Sequence, residues 1–155
     1  MLLDGAGVNT LQGGTGNDIY AVQSSTETVF EFADEGIDQV QTFLSGYSLP
    51  ANVENLTFVG STDHTGIGTA QSNRLIGGAG NDYLVGGDGN DVLIDGHGLN
   101  TLQGGRGNDI YAVQSRDDTI AEFPRRKASH EVYSLRDYPV RLEISAHSFP
   151  FGQGR

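Results

Sequence analysis

Along residues 68–112 one apolar position returns every ninth residue, as Leu75, Leu84, Leu93, Leu102 and Tyr111. Leu11 and Tyr20 keep the same spacing near the start of the chain. Glycine and polar residues fill the intervals. A period of nine is neither the 3.6 of a helix nor the unbroken alternation of a long strand. It suits a three-residue strand, whose middle side chain points to one face, followed by a six-residue turn. Each apolar side chain in such a chain is buried only against the turns above and below it. The pattern therefore predicts a solenoid of loop and strand.

Five nine-residue units run without a gap from Gly68 to Ala112: GTAQSNRLI, GGAGNDYLV, GGDGNDVLI, DGHGLNTLQ and GGRGNDIYA. Two more, DGAGVNTLQ and GGTGNDIYA, fill residues 4–21. A longer repeat lies over these. Residues 4–24 match 95–115 except at Ala6/His97, Val8/Leu99 and Thr15/Arg106. Between the two sets, Val40, Thr42 and Leu44 sit on alternate positions, as do Leu56 and Phe58, with Gly46 and Pro50 between them. Short strands and turns are expected there, and no segment holds a helical apolar period. The organisation read from this is partial repeats over 1–23, a spacer with short β-strands over 24–67, and the main repeat block over 68–115. Residues 116–155 begin a second spacer and then diverge into a basic, irregular tail.

Charge narrows the chemistry. The chain has 155 residues with 20 acids against 9 lysines and arginines, a formal net charge of −11. That balance argues against nucleic acid and anionic membranes as partners and favours a cation. Without cysteine there is neither a disulfide framework nor a thiolate metal site. No apolar run is long enough for a transmembrane helix, and MLLDGAGVNT lacks the regions of a signal peptide. Residues 124–155 change character: 3 acids, 6 basic residues, 2 of the 23 glycines and 3 of the 4 prolines. After Phe123 the second copy stops resembling the first.

Within one phrase, glycines at positions one, two and four open backbone conformations closed to other residues and keep side chains out of a close approach. Main-chain carbonyls in such a loop can turn toward a common point, and aspartate at position six adds a charged oxygen. An all-oxygen donor set of this kind suits a hard cation, calcium above all. Zinc is disfavoured for want of Cys or His at fixed spacing.

The phrase GGxGxDxUx, with U apolar, resembles the calcium-binding nonapeptide of RTX (haemolysin-type) proteins. GGAGNDYLV, GGDGNDVLI, GGRGNDIYA and GGTGNDIYA match it in full. The segment ADEGIDQVQTFLSGYSLPANVENLTFVGS is similar to the spacer found between such blocks. The resemblance implies an all-β fold, a parallel β-roll (right-handed β-solenoid) with an interrupting β spacer, in which each loop faces the loop two phrases on and Ca2+ lies between them. Carried over by position, Gly86, Gly87, Gly89 and Asp91 face Gly104, Gly105, Gly107 and Asp109. Gly77, Gly78, Gly80 and Asp82 face a loop in which Asn100 replaces the aspartate and Asp95 the first glycine, so Asp95 is expected to restore a carboxylate. Asn73 marks its loop as a cap. Asp18 gains a partner only if further turns stack on it.

Other residues read more plainly. Tyr20 and Tyr111 belong to the core. His64, His97, His130 and His147 share no spacing and read as surface histidines, and Asp88 as a solvated variable position. Glu31, Asp34, Glu35 and Asp38 read chiefly as a solvated acidic stretch. No GxSxG, HExxH or Walker loop is present and the only lysine is Lys127, so the chain is not read as an enzyme. The resemblance implies a calcium-binding module of a secreted, extracellular bacterial protein, exported by type I secretion and folded by calcium. The alternatives are an adhesin or matrix spacer with a cell-surface or carbohydrate partner, and the C-terminal accessory region of a secreted enzyme.

Overall fold

A computed structural model describes residues 1–3, 7–122, 131–134 and 141–144. Strands β1 (Leu2–Leu3), β2 (Thr10–Leu11), β3 (Ile19–Val22) and β4 (Thr28–Val29) come first. The spacer forms β5 (Gln39–Thr42), β6 (Gly46–Ser48), β7 (Asn55–Phe58) and β8 (Thr65–Ile67). The main repeats form β9 (Arg74–Ile76), β10 (Tyr83–Asp88), β11 (Val92–Ile94), β12 (Thr101–Arg106) and β13 (Ile110–Val113). Then follow β14 (Thr119–Glu122), β15 (Glu131–Ser134) and β16 (Arg141–Ile144). The described residues contain no helix, so none of them forms a helix able to cross a membrane.

The chain winds between two long sheets, and every pairing is parallel. One sheet has the order β1-β3-β5-β7-β9-β11-β13-β15, the other β16-β14-β12-β10-β8-β6, while β2 and β4 form a short pair. The protein is a parallel β-solenoid, as the nine-residue period predicts. Through the repeats the register advances eighteen residues, two phrases, per turn: Leu75 pairs with Leu93 and Leu93 with Tyr111, and Leu84 pairs with Leu102 and Leu102 with Ile120.

Position eight builds the core. Leu75, Leu84, Leu93, Leu102, Tyr111 and Ile120 all have no exposed surface. A fully buried leucine stabilises the coil by roughly 2 kcal/mol, and each depends on the turns stacked against it. The spacer continues both stacks. Tyr20 pairs with Val40 and Val40 with Leu56, which pairs with Leu75. In the opposite sheet Tyr47 pairs with Gly66 and Gly66 with Leu84. Glycine is required at 66, because a Cβ there would lie 2.8 Å from the Phe58 ring and 3.0 Å from Leu84.

Two expectations change here. Loop 68–73 is not a cap, since β9 is hydrogen-bonded to β7 on one side and to β11 on the other. Within the stretch read as irregular tail, β15 pairs with β13 and β16 with β14, so both sheets extend into it.

Candidate metal sites in the stacked loops

The turns between strands stack along the rims of the coil, and position six forms a ladder down each. On the rim leading into the first sheet, Asn73 N–H donates to Asp91 Oδ1 at 2.7 Å and Asp91 N–H to Asp109 Oδ1 at 2.9 Å. On the other rim, His64 N–H donates to Asp82 Oδ1 (2.8 Å), Asp82 N–H to Asn100 Oδ1 (2.7 Å) and Asn100 N–H to Asp118 Oδ1 (2.9 Å). One oxygen of each carboxylate or amide thus satisfies a buried main-chain donor of the preceding turn.

Position five forms a second ladder in the opposite sense. Asn90 Oδ1 accepts from Asn108 N–H and Asn81 Oδ1 from Leu99 N–H, both at 2.8 Å. The recurrent Asn-Asp pair therefore ties each loop upward through one residue and downward through the other.

The second carboxylate oxygens set the chemistry. Asp82 and Asp91 are 2% and 0% exposed, and their Oδ2 atoms have no hydrogen-bond partner. Each lies over the first glycine of its own loop. A Cβ on Gly86 would collide with Asp91 Oδ2 and come within 2.7 Å of the Gly104 carbonyl oxygen. At Gly77 it would collide with Asp82 Oδ2 and come within 2.6 Å of the Asp95 carbonyl oxygen. Glycine thus leaves room where a buried anionic oxygen and a main-chain oxygen of the next turn converge. A side chain would fill that space. Among the described residues no three His, Asp or Glu side chains gather on one point, so an ion in these loops must draw on main-chain oxygens as well. That mixed oxygen set fits calcium.

Positive φ keeps the loops open. Gly87 and Gly105 lie opposite one another in the ladder with φ of 115° and 104°. A Cβ on Gly105 would also collide with the Gly87 carbonyl oxygen. The other predicted loop glycines, Gly78, Gly80, Gly89 and Gly107, likewise pack a bare Cα against a main-chain oxygen of the preceding turn.

Burial makes these acids reluctant to ionise. It pushes the Asp91 carboxyl up to about 7 against the opposing Asn73 hydrogen bond, with Asp109 and Asp88 adding repulsion. It raises Asp82 as well, although His64 pulls the other way. An uncompensated carboxylate in such a place costs several kcal/mol.

The sequence reading is corrected at several residues. The Asp95 carboxylate does not complete the loop of Asp82. Its Oδ2 accepts from Gln114 N–H at 2.9 Å, and burial, with the adjoining Asp118 side chain adding to it, raises the carboxyl to about 7. What Asp95 offers that loop is its main-chain carbonyl. His64 is no surface histidine but 2% exposed; it occupies a position-six slot, stacked on Phe58 at 4.6 Å with Nδ1 3.1 Å from Asp82 Oδ1. His97 is exposed, while His130 and His147 lie outside the described residues. Glu31 and Asp38 are not solvated: they are 3% and 1% exposed. Asp88 does face solvent, 3.6 Å from Arg106. Tyr20 and Tyr111 are core residues that also work at the rim, their hydroxyls accepting from Gly13 N–H and Gly104 N–H. Sequence reasoning missed Asp118 and the position-five asparagines; for the asparagines the Asn-Asp pairs at 17–18, 81–82, 90–91 and 108–109 were the available signal, and for Asp118 its place eighteen residues after Asn100.

Fold and loops together define a parallel β-solenoid whose rims carry buried carboxylates facing main-chain oxygens of the next turn. Residues 2–21, 67–94 and 86–120 match the family model for the RTX calcium-binding nonapeptide repeat, and these stretches are repeats of that family. The chain is 52% identical over 52 residues to the endo-1,3-1,4-beta-glycanase ExsH of Rhizobium meliloti (strain 1021), covering 34% of this chain and 11% of that protein. It is 40% identical over 68 residues to the endo-1,3-1,4-beta-glycanase EglC of the same strain, covering 44% of this chain and 14% of that one. The matched part is thus a small fraction of each relative's length. No solved structure matches the chain significantly.

Proposed function

We propose that this chain is a calcium-folded β-roll, an accessory region of a secreted bacterial enzyme. The observation that carries the reading is Asp91: a fully buried carboxylate whose Oδ1 accepts from Asn73 N–H while its Oδ2 lies without a donor beside the Gly104 carbonyl. Gly86, Gly87, Gly89 and Asp91 with Gly104, Gly105, Gly107 and Asp109 would hold one ion. Gly77, Gly78, Gly80 and Asp82 with the loop from Asp95 to Asn100 would hold another, with one formal charge fewer because Asn100 is neutral. Calcium supplies the positive charge that lets these carboxylates remain ionised in a dry rim. Asp82 and Asp91 then keep their Oδ1 atoms on the ladder and leave Oδ2 for the ion. Because only the stacked loops assemble this donor set, binding favours the coil by mass action.

The parent activity is read from the relatives. Both named relatives are glycanases, and the similarity falls in repeat sequence, which supports a non-catalytic role for this stretch within an extracellular glycan-acting enzyme. Circular dichroism during calcium titration tests the folding claim: β signal is expected to grow as calcium reaches the millimolar range of extracellular modules. A spectrum unchanged by calcium and by chelator overturns it.

A further inference from the structure

The spacer contains a repeat loop in disguise. Leu11 pairs with Val29, which sets Glu31 opposite Gly13, the first glycine of GGTGND. At the far end of the same turn, Asp18 N–H donates to Asp38 Oδ1 at 2.7 Å, the position-six bond of the ladder. Asp38 N–H passes the ladder on to Glu54 Oε2 at 2.8 Å. Between these ends, Gly36 packs its bare Cα on the Gly16 carbonyl oxygen, Gly16 N–H donates to Glu35 O at 2.6 Å, and Ile37 N–H to Asn17 Oδ1 at 3.0 Å. EFADEGID thus retraces GGTGND with two residues added, Gly36 standing at position four and Asp38 at position six.

Position one is where it departs. In the repeats a main-chain oxygen of the following turn lies over the first glycine. Here the Glu31 carbonyl accepts from Asn52 Nδ2 at 3.0 Å, and the Glu31 carboxylate reaches back instead, Oε1 accepting from Gly13 N–H at 3.1 Å. Its Oε2 and the Asp38 Oδ2 are both buried and have no hydrogen-bond partner. Burial raises the Glu31 carboxyl against the opposing Gly13 hydrogen bond, and the neighbouring Glu35 and Asp38 carboxylates raise it further. Two shielded anionic oxygens in one turn, beside the Asp18 loop, need a counter-charge, and among the described residues no lysine or arginine forms an ion pair with them.

We infer that Glu31 and Asp38 form, with the loop Gly13–Asp18, a further divalent-cation site in which a spacer glutamate supplies the oxygen that a main-chain carbonyl supplies in the repeats. It rests on the calcium reading of the repeats only for the choice of ion. The site gives Asp18 the facing loop that its own block lacks and makes the spacer part of the ion-bound coil.

Equilibrium dialysis of the full chain with radioactive calcium counts the ions. Glu31→Gln with Asp38→Asn keeps the acceptors for Gly13 and Asp18 N–H and is expected to bind one ion fewer than the unaltered chain. Asp91→Asn with Asp109→Asn serves as the separate control on the repeats. An unchanged count in the spacer variant, with the control reduced, overturns this inference and leaves the repeat reading standing; no binding by the unaltered chain overturns both. Should the spacer variant fail to regain its β signal in calcium, Tyr20→Phe decides, because the Tyr20 hydroxyl lies 2.7 Å from Gly13 N. Terbium emission excited through tyrosine is expected to fall in that variant, and unchanged emission overturns the site.

Discussion

Asp109 Oδ1 accepts the main-chain N–H of Asp91 at 2.9 Å, one full turn away along the coil. The bond divides the labour of a carboxylate. One oxygen holds two turns in register; at Asp91 the other, Oδ2, has no hydrogen-bond partner and lies over Gly86, placed to meet a cation. Substitutions at Asp91 separate the two tasks. Asp91→Asn keeps an acceptor for Asn73 N–H and removes the charge, so it is expected to weaken calcium binding at least tenfold while leaving the metal-free chain no less ordered. Asp91→Ala removes both and leaves a buried N–H unsatisfied, a loss of about 1–3 kcal/mol in the calcium-bound form. Calcium titrations followed by circular dichroism distinguish them: equal behaviour of the two variants contradicts the divided role.

The raised carboxyls fix the direction of the pH dependence. Asp91 and Asp95 rise to about 7 in the fold from near 3.8 unfolded. A folded value above the unfolded one means stability that is fully present below about pH 4 and lost as pH rises through about 7. The calcium-free chain is therefore expected to lose β signal between pH 4 and 8. Saturating calcium reverses the slope, because protons then compete with the ion as pH falls. Parallel pH titrations in calcium and in chelator check this, and a calcium-free chain that gains order toward pH 8 contradicts it.

Glycine substitutions test the cradle. Gly86→Ala places a methyl against Asp91 Oδ2 and the Gly104 carbonyl, so calcium binding at that loop is expected to be lost. Gly46→Ala is the control, since a Cβ there meets nothing closer than 3.8 Å and sits on an exposed residue. Its calcium titration is expected to overlay that of the unaltered chain. Calorimetric titration of the two variants reads the contrast directly.

How far the chain could be read beforehand follows from where its period is kept. From Gly68 to Ala112 every phrase has nine residues, so the core position, the loop glycines and the eighteen-residue register were all legible, the last through the family resemblance. In the spacer two added residues, which include exposed Asp34 with φ of 65°, break the frame. Glu31 and Asp38 then look like members of a solvated acidic run, although Gly36-Ile37-Asp38 keeps the spacing of Gly16-Asn17-Asp18. His64 was illegible for another reason. A position-six slot needs only an acceptor for the next ladder bond or a packed end to it, and a histidine on Phe58 provides the end. Asp95 was misjudged because sequence places a carboxylate in a loop without saying which N–H groups will claim it; Gln114 does so from the following turn.

The core makes the last prediction, because a solenoid loses stability differently from a globular domain. Leu93 is fully buried, lies between Leu75 and Tyr111 in its sheet, and belongs to the turn that carries Asp91. Leu93→Ala is expected to destabilise the calcium-bound chain by about 2–5 kcal/mol. Each turn is stabilised mainly by its two neighbours, so loosening this one uncouples the Asp91 loop from Asp109 as well. The calcium midpoint should then rise together with the fall in thermal stability, even though no oxygen ligand has been touched. Leu11→Ala, in the short β2–β4 pair, is expected to lower stability without moving binding at Asp91. Thermal melts at fixed calcium, set beside binding isotherms for both variants, separate the two cases; an Asp91 site that keeps its affinity in Leu93→Ala would mean that the loops hold their ion without support from the stack beneath them.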